Sequence, residues 1–146
     1  MNPFSFQVFS GLFVLFVCVY SEKSPEAQLV TMTKSELEEI VHCLSESKNQ
    51  RLCDRFQICN TLMPEQVKMA LFKCERIIDP SGKRRCNEKE KLYSSREVFS
   101  KIFDCISQNA FKFTAEESRK MVEFETCARN LYVGNCKLLA REKKGN

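Results

Sequence analysis

The sequence has no tryptophan and only one histidine, four glycines and four prolines in 146 residues. The single histidine, His42, excludes mechanisms built on a histidine pair, the two-histidine ribonuclease arrangement among them. Its neighbours in helical register, Glu38, Glu39, Ser45 and Glu46, do not place an activated nucleophile beside it, so it reads as a structural histidine. G-x-S-x-G, the phosphate-binding loop, H-E-x-x-H and the Cys-Cys-x-x-His-Asp string of secreted phospholipases are all missing. C-x₂-C and C-x₄-C pairs are missing too, which removes the usual zinc, iron–sulfur and dithiol redox spacings. No metal or cofactor is expected. Excess charge is also scarce: 23 Lys and Arg against 19 Asp and Glu leave +4, with a pI near 8.6. That is too dilute for phosphate neutralisation to drive binding, so nucleic acid is not an expected partner. The paired carboxylates Glu38–Glu39 and Glu116–Glu117 fall in helix first turns, where they suit the helix dipole better than a glycosidase dyad.

What is present begins with a leader. Residues 1–21 contain no charged side chain, and from Val8 to Tyr20 they are almost wholly apolar. The run is too short to span a bilayer as a mature helix. Val19 and Ser21 take positions −3 and −1 of a cut after Ser21, and the polar stretch Glu22–Glu26 follows at once. Residues 1–21 are therefore read as a signal peptide, and 22–146 as one secreted domain with no stable membrane insertion. No N-x-S/T sequon occurs, so the surface should lack N-linked sugar.

Removing the leader discards Cys18 and leaves Cys43, Cys53, Cys59, Cys74, Cys86, Cys105, Cys127 and Cys136. An even set of spread cysteines in a small extracellular chain is a disulfide framework, and eight permit 105 pairings. Spacing does not choose among them.

Hydrophobic periodicity is helical throughout. Thr33 and Ser35 can each open a capping box ahead of a helix over 34–46, whose buried face is Leu37, Ile40, Val41 and Leu44. Leu52, Cys53, Phe56, Cys59 and Met63 give a second helix near 49–61. Pro64 suits the first turn of a third, lined by Val67, Leu71, Cys74 and Ile78 and ended by the turn Asp79-Pro80-Ser81-Gly82. Ser94-x-x-Glu97 reads as a box before a helix over 95–108, and Thr114-x-x-Glu117 as another before Met121, Phe124, Ala128 and Leu131, with Gly134 as the stop. A short last helix could carry Cys136, Leu138 and Leu139. No alternating strand pattern survives, so the expected fold is all-α: five to six short helices cross-linked by four disulfides. Residues 22–32 are expected to form a loose arm.

Two further features bear on function. Phe72, Phe99, Phe103, Met121 and Phe124, with Phe111, Phe113, Met63 and Met69, could line a pocket for an apolar ligand, although such residues more often form core. Gly82-Lys83-Arg84-Arg85 has the form of a prohormone processing signal at Lys83, Arg84 and Arg85, and cutting there would leave two disulfide-linked chains. The plainer reading is a solvated loop pinned by Cys86.

Thr114-x-x-Glu117 leading into Cys127, with the closing Cys127-x₈-Cys136, resembles the end of insect odorant-binding proteins. That resemblance implies a small secreted helical carrier of apolar molecules. The C-x₃-C pair of that family has no counterpart, the nearest spacing being Cys53-x₅-Cys59. More broadly, cysteine spacing and helix order across 43–136 resemble the helical cysteine-rich proteins of arthropod haemolymph and venom glands. That set includes the tick microplusins, whose copper-binding histidines this chain lacks.

A stapled frame without catalytic groups, with charged outer faces, leads to one expectation above others: a secreted, non-enzymatic, toxin-like protein that recognises an extracellular protein or receptor by its surface. The alternatives are an extracellular carrier of a small apolar ligand and a hormone-like precursor cut at Lys83–Arg85.

Overall fold

The computed structural model describes residues 31–82 and 85–136. The leader, residues 22–30 of the arm, Lys83, Arg84, Leu138, Leu139 and the tail 141–146 lie outside the described residues. Five α-helices follow in order: α1 (Lys34–Glu46), α2 (Gln50–Asn60), α3 (Glu65–Ile78), α4 (Arg96–Ser107) and α5 (Ala115–Leu131), closed by a π-helical turn at Tyr132–Cys136. The all-α, four-disulfide fold read from the sequence is the one found.

Local chemistry explains where the helices begin. Of the two candidate caps for α1, Thr33 is the one used, its hydroxyl accepting from Glu36 N at 3.1 Å. Asn49 caps α2 by accepting from Arg51 N. Pro64 is the cap residue of α3 and not part of its first turn. At α4 the cap is Ser95, accepting from Val98 N, one residue on from the expected box. Ser94 instead donates to Asp79, tying the loop before α4 to the end of α3. The box at Thr114 and Glu117 forms in full: the Thr114 hydroxyl accepts from Glu117 N, and the Glu117 carboxylate accepts from Thr114 N. The turn at Asp79–Gly82 closes with Gly82 N donating to Asp79 O, and its φ of 79° is a conformation glycine adopts without strain. Gly134 does not stop a helix; it lies inside the π-helical turn.

The helices assemble as two stapled pairs with α1 laid against both. Cys74–Cys105 joins α3 to α4, and Cys59–Cys127 joins α2 to α5, with Cα–Cα distances of 5.9 and 5.6 Å. Cys43–Cys136 ties α1 to the π-helical turn, and Cys53–Cys86 ties α2 to the loop before α4. Each of the first four cysteines thus pairs with one of the last four. Around the sulfurs lies the core: Ile40, Val41 and Leu44 of α1, Leu52 and Phe56 of α2, Leu71 of α3, Phe99 and Ile102 of α4, and Phe124, Ala128 and Leu131 of α5. Leu92 and Tyr93 join it from the loop before α4. The bridges close loops of 31 to 93 residues. On the chain-entropy argument each, taken alone, removes about 4 kcal/mol of unfolded-state freedom.

One buried carboxylate fixes the start of the chain's described part. Glu125 on α5 is 1% exposed. It accepts from the backbone N–H of Thr31 and of Met32, each at 3.0 Å, and from the Thr31 hydroxyl. Arg129, one turn along α5, donates to Glu125 and reaches across to Glu36 of α1 with two nitrogens, at 2.6 and 3.0 Å. The expected loose arm is therefore pinned at its last two residues. The Arg129 side chain beside Glu36 holds that carboxyl below its ordinary pKa of 4.5, against the opposing effect of partial burial.

Two measurements check these assignments. Thr114→Ala removes an N-cap and should cost about 1 kcal/mol, read as a Tm several degrees lower in thermal unfolding with an unchanged helical spectrum. Because the Glu36 carboxyl titrates lower in the folded chain than in the unfolded one, its stabilising contribution is present above its unfolded pKa near 4.5 and is lost as pH falls through the folded value. Glu36→Gln should therefore lower Tm at neutral pH and flatten the acid limb of the Tm–pH curve. An acid limb as steep as in the parent would show that other carboxylates set it.

Candidate functional site

An apolar cavity of about 360 Å³ lies between the two stapled pairs. All five helices contribute to its wall: Leu37 from α1, Phe56 and Asn60 from α2, Val67 and Leu71 from α3, Phe99, Phe103 and Ile106 from α4, and Met121, Phe124 and Glu125 from α5. Tyr93, Met32 and Met63 complete it, and Phe111 and Phe113, stacked at 5.7 Å in the loop before α5, stand at one side. Close helix–helix approach occurs within the pairs, α3 with α4 and α2 with α5, and the cavity lies where the pairs face each other. Each pair is locked within itself by its own disulfide, and α1 bridges the two.

The polar atoms of this wall differ sharply in how they are satisfied. Glu125 has hydrogen bonds to Thr31, Met32 and Arg129. The Tyr93 hydroxyl donates to Glu75 at 3.2 Å, and burial, with the Glu75 charge behind it, pushes the phenol well above its usual pKa. Asn109 donates to two carbonyls at the end of α4. Asn60 is the exception. Its Oδ1 is buried without a hydrogen-bond partner, a condition that costs about 1–3 kcal/mol.

Of the pocket residues expected from the sequence, Phe99, Phe103, Met121 and Phe124 lie in this wall, as do Phe111, Phe113 and Met63. Phe72 does not. It sits on the outer face of α3, 56% exposed, with the Arg76 guanidinium 5.5 Å from its ring centre. Met69 is likewise on that face, 59% exposed. The physical reason is phase: Val67, Leu71 and Cys74 take the inward side of α3, and Met69, Phe72, Arg76 and Ile77 are left on the other. Asn60, Glu125 and Tyr93 were not singled out by sequence reasoning. Asn60 stands four residues after the buried Phe56 and Glu125 four after the half-buried Met121, so helical phase already placed them on the inward side. Tyr93 lies in an irregular loop that carries no period.

The remaining candidates fall elsewhere. His42 is exposed on α1, 4.0 Å from Glu46 across one turn. Arg85 is exposed and directly precedes the buried, bridged Cys86; its companions Lys83 and Arg84 lie outside the described residues. Among the described residues, no cluster of three His, Cys, Asp or Glu side chains could hold a metal ion, and no helix is long and apolar enough to cross a membrane.

Neither a curated protein nor a solved structure matches this chain. A family model does, over residues 31–137, a stretch holding all eight paired cysteines and all five helices. Its description is Hi1a-like: U10-hexatoxin-Hi1a. Of the resemblances carried by cysteine spacing, the venom-type one is what this match supports. The chain belongs to the Hi1a-like family of toxins.

Proposed function

We propose that this is a secreted, non-enzymatic toxin-like protein that acts by recognising an extracellular protein, with the outer face of α3 as the recognising surface. The observation that carries the reading is the composition of that face. Met69, Phe72 and Ile77 are 59, 56 and 65% exposed on one helix. Lys73 and Arg76 lie among them and form no ion pair among the described residues. Exposed large apolar side chains on a chain this small are costly unless a partner covers them. An aromatic ring with a guanidinium stacked on it is also a common energetic centre of protein interfaces. The complementary surface is a protein segment offering apolar side chains beside carboxylates. Toxin-family membership and the leader-like segment at 1–21 support action outside the cell. A rigid, stapled frame limits the ordering cost of binding.

The test is saturable binding of the fluorescently labelled, fully oxidised protein to intact excitable cells. The triple variant Met69→Ser, Phe72→Ser, Arg76→Glu alters exposed positions and should keep its Tm. Binding should weaken by about tenfold or more in this variant, and protease treatment of the cell surface should abolish it for the parent. Binding that survives both treatments, or that is reproduced on protein-free anionic lipid vesicles, would overturn the reading.

A further inference from the structure

We infer that the cavity between the two stapled helix pairs is a binding site for a small, neutral, largely apolar molecule that carries one hydrogen-bond donor, with Asn60 Oδ1 as the acceptor. This site is separate from the outer face of α3.

Three observations lead there. The cavity is a cleft partly open to solvent, with Ser107 and Asn109 exposed on its rim, and it measures about 360 Å³. That is within the range of about 300–1,000 Å³ of small-molecule sites and near its lower end. The occupant is therefore compact, not a long-chain lipid. Cys74–Cys105 and Cys59–Cys127 each lie within one pair, so each wall is held as a unit while no disulfide of either pair crosses the space between them. Finally, the wall has a single unmet polar requirement. Glu125 is already held by Thr31, Met32 and Arg129, so no charge is left for a cationic ligand to neutralise. An anion would meet that carboxylate and no Lys, Arg or His among the lining residues. Asn60 Oδ1 has no partner, and the amide torsion that aims it is soft. The oxygen is occluded in the unliganded wall, and turning the amide about that torsion would present it to a ligand hydroxyl or amine N–H. Phe99, Phe103 and Phe124 offer aromatic faces and edges to the rest of such a molecule.

The test uses the oxidised full domain and two fluorescent probes of similar shape, N-phenyl-1-naphthylamine, which has one N–H donor, and 1-phenylnaphthalene, which has none. Both should show saturable emission enhancement in the parent protein, the amine more tightly. Asn60→Leu should weaken the amine by about three- to tenfold, the worth of one hydrogen bond, while leaving the hydrocarbon unchanged. Phe103→Trp and, independently, Met121→Trp should take up part of the space and weaken both probes severalfold, with thermal unfolding showing that each variant remains folded. Phe72→Ser should change neither affinity. Absence of saturable binding in the parent overturns the inference. So does affinity left unchanged in both folded tryptophan variants or lost with Phe72→Ser, since the probe would then sit on the surface. Equal weakening of both probes by Asn60→Leu would overturn the acceptor role.

Discussion

The structure depends on its four cross-links: two join helices within a pair, while Cys53–Cys86 fastens α2 to the loop before α4 and Cys43–Cys136 fastens α1 to the π-helical turn. A domain of this size gains limited stability from burial alone, and here part of the possible core is a void. The chain tolerates that because the disulfides lower the freedom of the unfolded state instead of adding contacts to the folded one. Cys74–Cys105 and Cys59–Cys127 hold α3 to α4 and α2 to α5. α1, fastened by Cys43–Cys136, lies across both pairs. A fold stabilised by packing alone would have drawn its helices inward.

The polar interior follows the same economy. Glu125 would be prohibitively placed without partners, and it is given the first two described backbone N–H groups and Arg129. The result couples the entry segment, α1 and α5 through one carboxylate and one guanidinium. Asn60 breaks the pattern, and the break falls in the cavity wall. The outer face of α3 shows a different departure, with apolar side chains in water beside Lys73 and Arg76, which form no ion pair among the described residues. One departure lies among the buried side chains and the other on the exposed face of α3.

Much of the fold was legible in the chain because amphipathic helices write their period directly. α1 over 34–46 and the capping box at Thr114 and Glu117 were readable to the residue. The capping of α4 slipped by one because Ser94 and Ser95 both satisfy the pattern, and only the buried Asp79 decides which serine is drawn away. Pairing of the cysteines was not legible, since it depends on which helices neighbour one another in space. The candidate site was half readable. Phe99, Phe103, Met121 and Phe124 stand on inward stripes, but composition gave Phe72 equal standing until the phase of α3 put it outside. Asn60 and Glu125 were in phase and were overlooked because polar side chains are discounted when an inward stripe is read.

The connectivity has a consequence for how the molecule is made. Cys43, Cys53, Cys59 and Cys74 find their native partners only among Cys86, Cys105, Cys127 and Cys136. A ribosome delivers the first four sulfurs before any of the last four, so every bond they could form at that stage is a wrong one. Correct oxidation must therefore await the second half of the chain or be reached by thiol exchange, over seconds to hours. Reaching the native set is thus a matter of thiol–disulfide exchange as much as of oxidation.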